Sequence, residues 1–393
     1  MYSDDVLRPW RDALVERLPR LRLFDVHTHI GDNDPDGLRC SPQRLVESLE
    51  LADARGVVFP MHEPDGYPPA NDRVIAEAGA SDGRLVPFCR LDPAADPLPE
   101  AERALARGAR GIKLHPRAER FRLADERLEP VFALAGERRL PVIVHAGRGI
   151  PALGRDALDL TGRHPGMRLI LAHAGVCDLG WIWRHAADRP NLFFDTAWWS
   201  AVDHLALFGL VPPGQILFGS DVPYGTPLLG AILTLRPALQ AGLSDEQVAA
   251  VAGGQLERLL DGEEPLDLGP PPGSPGLVAD VLLQRIHGYL VASIGRMFLG
   301  HEGGDYVGLA RLACEVGEDP SRAPVAASVL ALLDRMESFS RAATAARPGG
   351  GDGQVRMHPG VGIAIAAATV ALTPAAPLPE LPDAVDVSER EAD

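Results

Sequence analysis

The chain has 393 residues, of which 46% are hydrophobic and 23% charged, and a formal charge of −16. That length holds one large α/β domain with an extra unit, or two to three ordinary domains, and the composition is that of a soluble globular protein. The negative charge argues against a nucleic-acid or anionic-membrane partner and leaves small molecules as the expected ligands.

The N-terminus, MYSDDVLRPWRDALVERLPR, is charged from the start and has no apolar core segment, so no signal peptide is expected. Cys40, Cys89, Cys177 and Cys314 show no paired spacing. They are read as reduced core thiols in a cytoplasm, not as a disulfide framework or a thiolate zinc site.

From residue 20 to about residue 260 the chain alternates short apolar runs with longer amphipathic ones. The strand-like runs are LRLFDVH, GVVFPMH, RLVPFCRLD, GIKLHP, PVIVHAG, MRLILAHAG, NLFFDTA and QILFGSDVP, eight in all. Between them stand helix-like segments such as SPQRLVESLELADARG, NDRVIAEAGA, AERALARG, ADERLEPVFALAGERR and GRDALDLTGRH, several preceded by Ser, Asn or Asp where an N-cap is wanted. Eight such repeats in this length predict a (β/α)8 TIM barrel over residues 1–262. An open doubly wound sheet would show fewer repeats and a Gly-rich phosphate loop after its first strand, and neither GxGxxG nor a P-loop lysine motif stands there.

Residues 263–276, EEPLDLGPPPGSPG, read as a Pro/Gly linker. Residues 277–375 follow as a small, mostly helical region, with helical periodicity in LVADVLLQRIHGYLVASIGRMF and APVAASVLALLDRMESFSRAATAA. The uncharged run VGIAIAAATVAL at 361–372 falls short of the roughly 20 residues that span a bilayer and is expected as a buried hairpin or helix. Residues 376–393 are expected to be a disordered tail. The apolar C-terminal helices need a cover, either a second copy in a homodimer or the rim of the barrel.

In a TIM barrel the carboxyl ends of the strands share one pocket, so polar residues there are read together. They are Asp25, His27 and His29 on the first run, Lys113 and His115 on the fourth, His145 on the fifth, His173 on the sixth and Asp221 on the eighth. Simple alternation puts Asp25, His27 and His29 on one face of the first strand. A lone HxH, or one strand-end histidine, is more often a hydrogen-bonded structural group than a ligand. Four strand ends finishing in ligand types outweigh that reading, and His27, His29, His145 and Asp221 offer three nitrogens and one oxygen to a divalent metal.

Lys113 is the only lysine beside 37 arginines. Where a charge merely solvates the surface this chain uses Arg, so Lys113 is expected where a compact or deprotonatable amine is needed. It would either hold an anionic substrate group or, as a carbamate, bridge two metals. His115 shares its face. Arg90 is a candidate for a substrate carboxylate, against a surface or loop ion pair; Trp198 and Trp199 are candidates for the pocket wall, against a barrel edge. His62 and Glu63 end the second run and are read as solvent-facing, while His164, His185, His204, His287, His301 and His358 receive no site role.

The motifs DVHTHIG, GIKLHP, VIVHAG, LAHAG and FGSDVPYG, in that order over residues 20–262, resemble the amidohydrolase superfamily, in the branch that contains aminocarboxymuconate semialdehyde decarboxylase and its hydrolase relatives. The resemblance implies that His27 and His29 are the first-strand ligand pair, His145 the fifth-strand ligand and Asp221 the eighth-strand carboxylate. His173 matches the sixth-strand histidine, which hydrogen-bonds water or substrate in single-metal members and is a ligand in two-metal members. GGQLERLLDG resembles the family's closing helix, although Gln255 stands where Asn is common, a departure expected to touch structure only. Residues 263–393 have no counterpart in the resemblance.

The leading expectation is a hydrolase that activates water on a divalent ion, Zn2+ first and Mn2+, Fe2+ or Ni2+ behind it, with one or two ions open. Its substrate would be an amide, lactone or ester of a small organic acid. Asp221 would pass the water's proton to the leaving group, with His173 orienting the water and Lys113 holding substrate. A metal-dependent non-oxidative decarboxylase of an unsaturated or aromatic acid uses the same ligands. A barrel without catalysis, serving as a binding or scaffold protein, is the reading from another class.

Overall fold

The structure, a computed structural model, describes residues 4–35, 37–273, 280–345 and 357–380. Its strands are β1 (Leu23–Ile30), β2 (Ala54–Pro60), β3 (Leu85–Pro87), β4 (Cys89–Arg90), β5 (Ile112–Leu114), β6 (Pro141–Val144), β7 (Arg168–Leu171), β8 (Leu192–Asp195) and β9 (Ile216–Leu217). All pair in parallel with their neighbours, β1 to β3 in one set and β4 to β9 in the other.

Between the sets, the Phe88 N–H donates to Val58 O at 2.9 Å, so β3 and β4 form one barrel position interrupted at Phe88. On the other side Val26 N–H donates to Phe218 O at 2.9 Å and Asp221 N–H to His27 O at 2.8 Å, which closes β9 onto β1. Eight positions result, and the fold is the (β/α)8 barrel that the alternation predicts.

Two apolar layers follow from strand alternation. Val57, Phe59, Phe88, Ile143, Ile170, Phe193 and Leu217 fill the barrel's interior. Their neighbours, among them Val58, Cys89, Ile112, Val142, Leu169 and Phe194, belong to the larger core shared with the surrounding helices. Ser41, Ser200, Thr226 and Ser244 each accept a backbone N–H at a helix start, satisfying a donor the helix itself leaves free.

The N-terminal helix Asp4–Arg17, which no periodicity argument anticipated, buries Leu7, Trp10 and Leu14 at helical spacing. Its Trp10 indole N–H donates to Ser328 Oγ at 2.7 Å, in the C-terminal unit. That unit contains the helices Val281–Met297, Asp305–Ala313, Ala323–Ala345 and Val361–Leu372. The last is apolar on every side, and its residues Ile363 to Ala371 are buried. It packs between the helices of its own unit and the barrel helices Ala201–Leu210 and Pro227–Ala241.

Of the linker's described part, residues 263–273, none is helix or strand, yet it is fastened down. Gln255 accepts from Leu266 N–H at 2.9 Å and donates to Gly214 O at 2.5 Å, so its longer amide bridges the linker to the barrel. The expected tail starts too early: Ala376 is buried and Pro377 O accepts from Arg236 at 2.6 Å, because the chain leaving the last helix follows the barrel's surface. Residues 274–276 and 381–393 lie outside the described residues. No described helix is long and apolar enough to cross a membrane.

Candidate metal centre at the barrel mouth

β1 is less regular than strict alternation supposes. Its pairing with β2 shifts between Asp25 and Thr28. His27 and His29, two apart, share a face and meet with ring centroids 5.2 Å apart, while Asp25 takes a different job. One Asp25 oxygen accepts the backbone N–H of His27 at 2.9 Å and of Ser220 at 3.0 Å, tying β1 to the loop after β9. Burial pushes its pKa up to about 7.

His27 Nε2 and His29 Nε2 each lie 3.2 Å from Asp221 Oδ1, and these three side chains bring donor atoms within 4.8 Å of one another. Asp221 is held at φ 61°, a left-handed conformation costly for a residue with a side chain. His173 (φ 58°) and Ala174 (φ 56°) are strained in the same way.

Asp195 secures that strained turn, a role the sequence reading did not assign. Its Oδ1 accepts from His173 N–H at 2.7 Å and Ala197 N–H at 2.9 Å, and its Oδ2 stands 2.8 Å from His27 Nδ1. The available signal was an aspartate ending the apolar run NLFFDTA at the same barrel level as the other site residues.

Hydrogen-bond chemistry fixes the tautomers. With Nδ1–H of His27 donated to the Asp195 carboxylate, Nε2 carries a bare lone pair directed at Asp221 and at Lys113 Nζ, 3.1 Å away. Such a carboxylate–imidazole pair is how metal-ligating histidines are commonly oriented. At His173, Nδ1 lies 2.7 Å from Ala197 O, which can only accept, so the proton sits on Nδ1 and Nε2 accepts. His145, with Nδ1 2.9 Å from that Nε2, must then donate through Nδ1. Its own Nε2 is left bare, 3.4 Å from the carbonyl of Arg148, where no proton joins the two acceptors. His29 Nδ1 is buried without a hydrogen-bond partner among the described residues.

Burial lowers the pKa of His27, His29, His115, His145 and His173, in each case as the leading cause, and keeps these rings neutral. Asp221 is pushed well above the carboxylate range by burial, against the pull of Lys113. The bare Nε2 of His27, with neutral His29 and the Asp221 carboxylate converging beside it, offers a donor set that a divalent metal takes, so the residues fit such an ion. His145 stands outside the three-donor group: its ring stacks on His115 at 4.0 Å and 11°. A Cβ at Gly147 would lie 2.6 Å from His173 Cδ2, so only glycine permits this approach of chain to ring.

Lys113 is fully buried, 4.5 Å from the Phe59 ring centroid, and burial lowers its pKa to about 7 against Asp221 and Asp195. Arg90 is its register partner on β4. The guanidinium is buried and bonded to Glu119 at 2.7 Å and Pro60 O at 3.3 Å, so the ion pair weighed for the surface exists, but inside. Tyr67 OH donates to the same Glu119 oxygen at 2.5 Å, and His62 Nδ1 is 3.9 Å from it, placing His62 near the mouth. Trp198 is partly buried, 6.1 Å from His173 between ring centroids. Of the histidines given no site role, His204 is bonded to Thr196 O at 3.0 Å and His287 to Ala368 O at 3.0 Å, both as packing groups.

A parallel eight-position barrel with buried imidazoles and a carboxylate gathered at its strand ends defines the class as a barrel of the metal-enzyme kind. The amidohydrolase family model matches residues 24–261, and the chain belongs to that family. No curated protein matches it. Among solved structures it resembles a Staphylococcus aureus protein described as an amidohydrolase, at 16% identity and TM-score 0.51, covering 61% of this chain and 100% of that one. It also matches an uncharacterised TIM-barrel protein from Bordetella bronchiseptica (17% identity, TM-score 0.49, 62% of this chain and 99% of that one). A third match is 2,6-dihydroxybenzoate decarboxylase from Rhizobium (14% identity, TM-score 0.48, 61% and 99%). At these identities the likeness to the Staphylococcus protein speaks for the fold alone.

Proposed function

We propose that the chain is a metal-dependent hydrolase acting on an amide, lactone or ester of a small organic acid. What carries the reading is the convergence of His27 Nε2, His29 Nε2 and Asp221 Oδ1, with the His27 tautomer set by Asp195. His27, His29 and Asp221 would hold a divalent cation, zinc first among the candidates, and His145, outside their group, would have to turn its bare Nε2 from the Arg148 carbonyl to join them as the fourth ligand. When bound, that ion lowers the pKa of water toward about 7 and polarises the substrate carbonyl.

Asp221, raised by burial, accepts the proton of the attacking water and returns it to the leaving group. His173, held through Ala197 and Asp195, offers the lone pair of Nε2 and would orient the attacking water by accepting one of its protons in a hydrogen bond. Lys113 takes the anionic end of the substrate. Arg90 already spends one guanidinium nitrogen on Glu119, so it shapes the wall beside Lys113 and keeps Nε unpartnered among the described residues.

Elemental analysis of protein purified without chelators, followed by proton release from a panel of small lactones and esters, tests the reading. The expected outcome is bound divalent metal and a hydrolytic rate that Asp221→Asn lowers by about 10²- to 10⁴-fold. Absent metal together with no hydrolysis of any member of the panel would leave only a binding barrel, and full activity in His27→Ala would remove the metal-centre reading. Carbon dioxide released without net uptake of water would replace hydrolysis by decarboxylation.

A further inference from the structure

The family match ends at residue 261, yet the helical unit beyond it reaches the mouth of the barrel. The contact is a file of aromatic rings. His173 meets Trp198 edge to face, with centroids 6.1 Å apart at 66°. Trp198 meets Trp199 at 6.2 Å, and Trp199 meets Phe298 edge to face at 5.5 Å and 70°. Phe298 directly follows the helix Val281–Met297, so the last ring in the file is supplied by the C-terminal unit.

The file is pinned at both ends. Trp198 donates its indole N–H to Asp203 Oδ2 at 2.7 Å, which fixes the ring's rotation from the barrel side. On the other side the end of the helix Val281–Met297 is held where His358 N–H donates to Met297 O at 2.8 Å, and Met297 is fully buried. Aromatic pairs in this distance range are attractive, and Phe298, edge to face with Trp199, restrains that plane, while Trp199, tilted 41° to Trp198, packs against it and limits its movement.

We propose that the C-terminal unit completes the active-site wall: Phe298 is a positioning residue that, through Trp199, sets Trp198 as a flat platform beside His173 for a planar, unsaturated part of the substrate. This rests on the reading of the barrel mouth as the active site. Phe298 touches no reacting atom. A rigid indole face rewards a flat ligand and gives nothing extra to a small aliphatic one, so the unit would set selectivity and leave the hydrolytic chemistry to the barrel.

Benzoate and acetate serve as probes, since both carry the carboxylate that Lys113 would receive and only one carries a ring. Their affinities for the full-length protein, measured by calorimetry, are compared in wild type, Phe298→Ala, Trp198→Ala and the double variant, with metal content and melting temperature followed in each. Phe298→Ala is expected to weaken benzoate about threefold to tenfold and to leave acetate unchanged. Trp198→Ala is expected to weaken benzoate at least as much, and the double variant to match Trp198→Ala alone, because one residue acts through the other. Phe298→Tyr, which keeps the ring, should restore wild-type affinity, and Phe298→Leu stands in should the alanine variant melt too low.

Unchanged benzoate affinity in a folded Phe298 variant would overturn the proposal. So would effects of the two single variants that multiply, or benzoate binding no tighter than acetate in wild type. A protein without metal that still shows the Phe298 effect would sink the hydrolase reading and keep the wall; hydrolysis with no ring preference would do the reverse.

Discussion

Two fully buried cations, Lys113 in the barrel mouth and Arg236 at the seam with the C-terminal unit, show how differently one chain can treat a charge. Arg236 has three nitrogens satisfied: Nε by Thr373 Oγ1 at 2.9 Å, Nη2 by Thr373 O at 2.9 Å and Nη1 by Pro377 O at 2.6 Å. The two Thr373 acceptors end the helix Val361–Leu372, where a cation also meets the negative pole of the helix dipole. Burial lowers its pKa, but a guanidinium keeps its charge, so the group is a fixed clamp. Lys113 instead faces a bare imidazole nitrogen and two carboxylates, and its proton can leave. A cation with an acceptor at every nitrogen is structural; one left facing a bare nitrogen and carboxylates is kept for a ligand.

Removing each charge separates the two cases, and the larger effect is at the mouth. Lys113→Met should lower kcat/KM by about 100-fold or more, because the amine is lost from the site where substrate charge is received. Its melting temperature should hold or rise, since an apolar side chain of similar length replaces a charge kept in a dry place. A variant that melts much lower with unchanged kinetics would make Lys113 the structural cation. Arg236→Met should do the opposite and cost about 3 kcal/mol of stability by stripping donors from the buried carbonyl and hydroxyl of Thr373 and the partly buried carbonyl of Pro377. Urea unfolding measures it, and activity per folded molecule should stay at the wild-type level.

The same contrast explains what could be read from the chain. Repetition is a strong signal, so the eight strand positions were legible, including the third, which the structure breaks at Phe88. His27, His29 and Asp221 were legible because ligand types at strand ends of this fold face one pocket. Asp195 was not, because its contribution is to orient another ring and to bind backbone across a turn, and a lone Asp after an apolar run carries no mark of that. The irregularity in β1 was likewise invisible: it arises from closing β9 onto β1, a contact between residues almost 200 positions apart in the chain. Arg236 hides for a similar reason, its partners being two backbone carbonyls and a hydroxyl far along the chain.

His204 provides the finest test of how the barrel treats a buried ring that serves no ligand. It is fully buried beneath the β8 loop, bonded through Nε2 to Thr196 O, with Nδ1 unpartnered among the described residues. Burial lowers its pKa from 6.5 to about 4. The native state thus refuses a proton that the unfolded chain accepts below pH 6.5. The stability this ring contributes is complete above that pH and is lost as the pH falls toward 4. Between pH 7 and pH 5 the loss is about 2 kcal/mol from these two values. His204→Gln keeps an N–H for the Thr196 carbonyl and has nothing to titrate, so its urea midpoint should fall less than that of wild type over the same interval. Parallel pH profiles for the two proteins would mean that His204 titrates as it does in the unfolded chain, and that acid sensitivity of the barrel belongs to the imidazoles at its mouth.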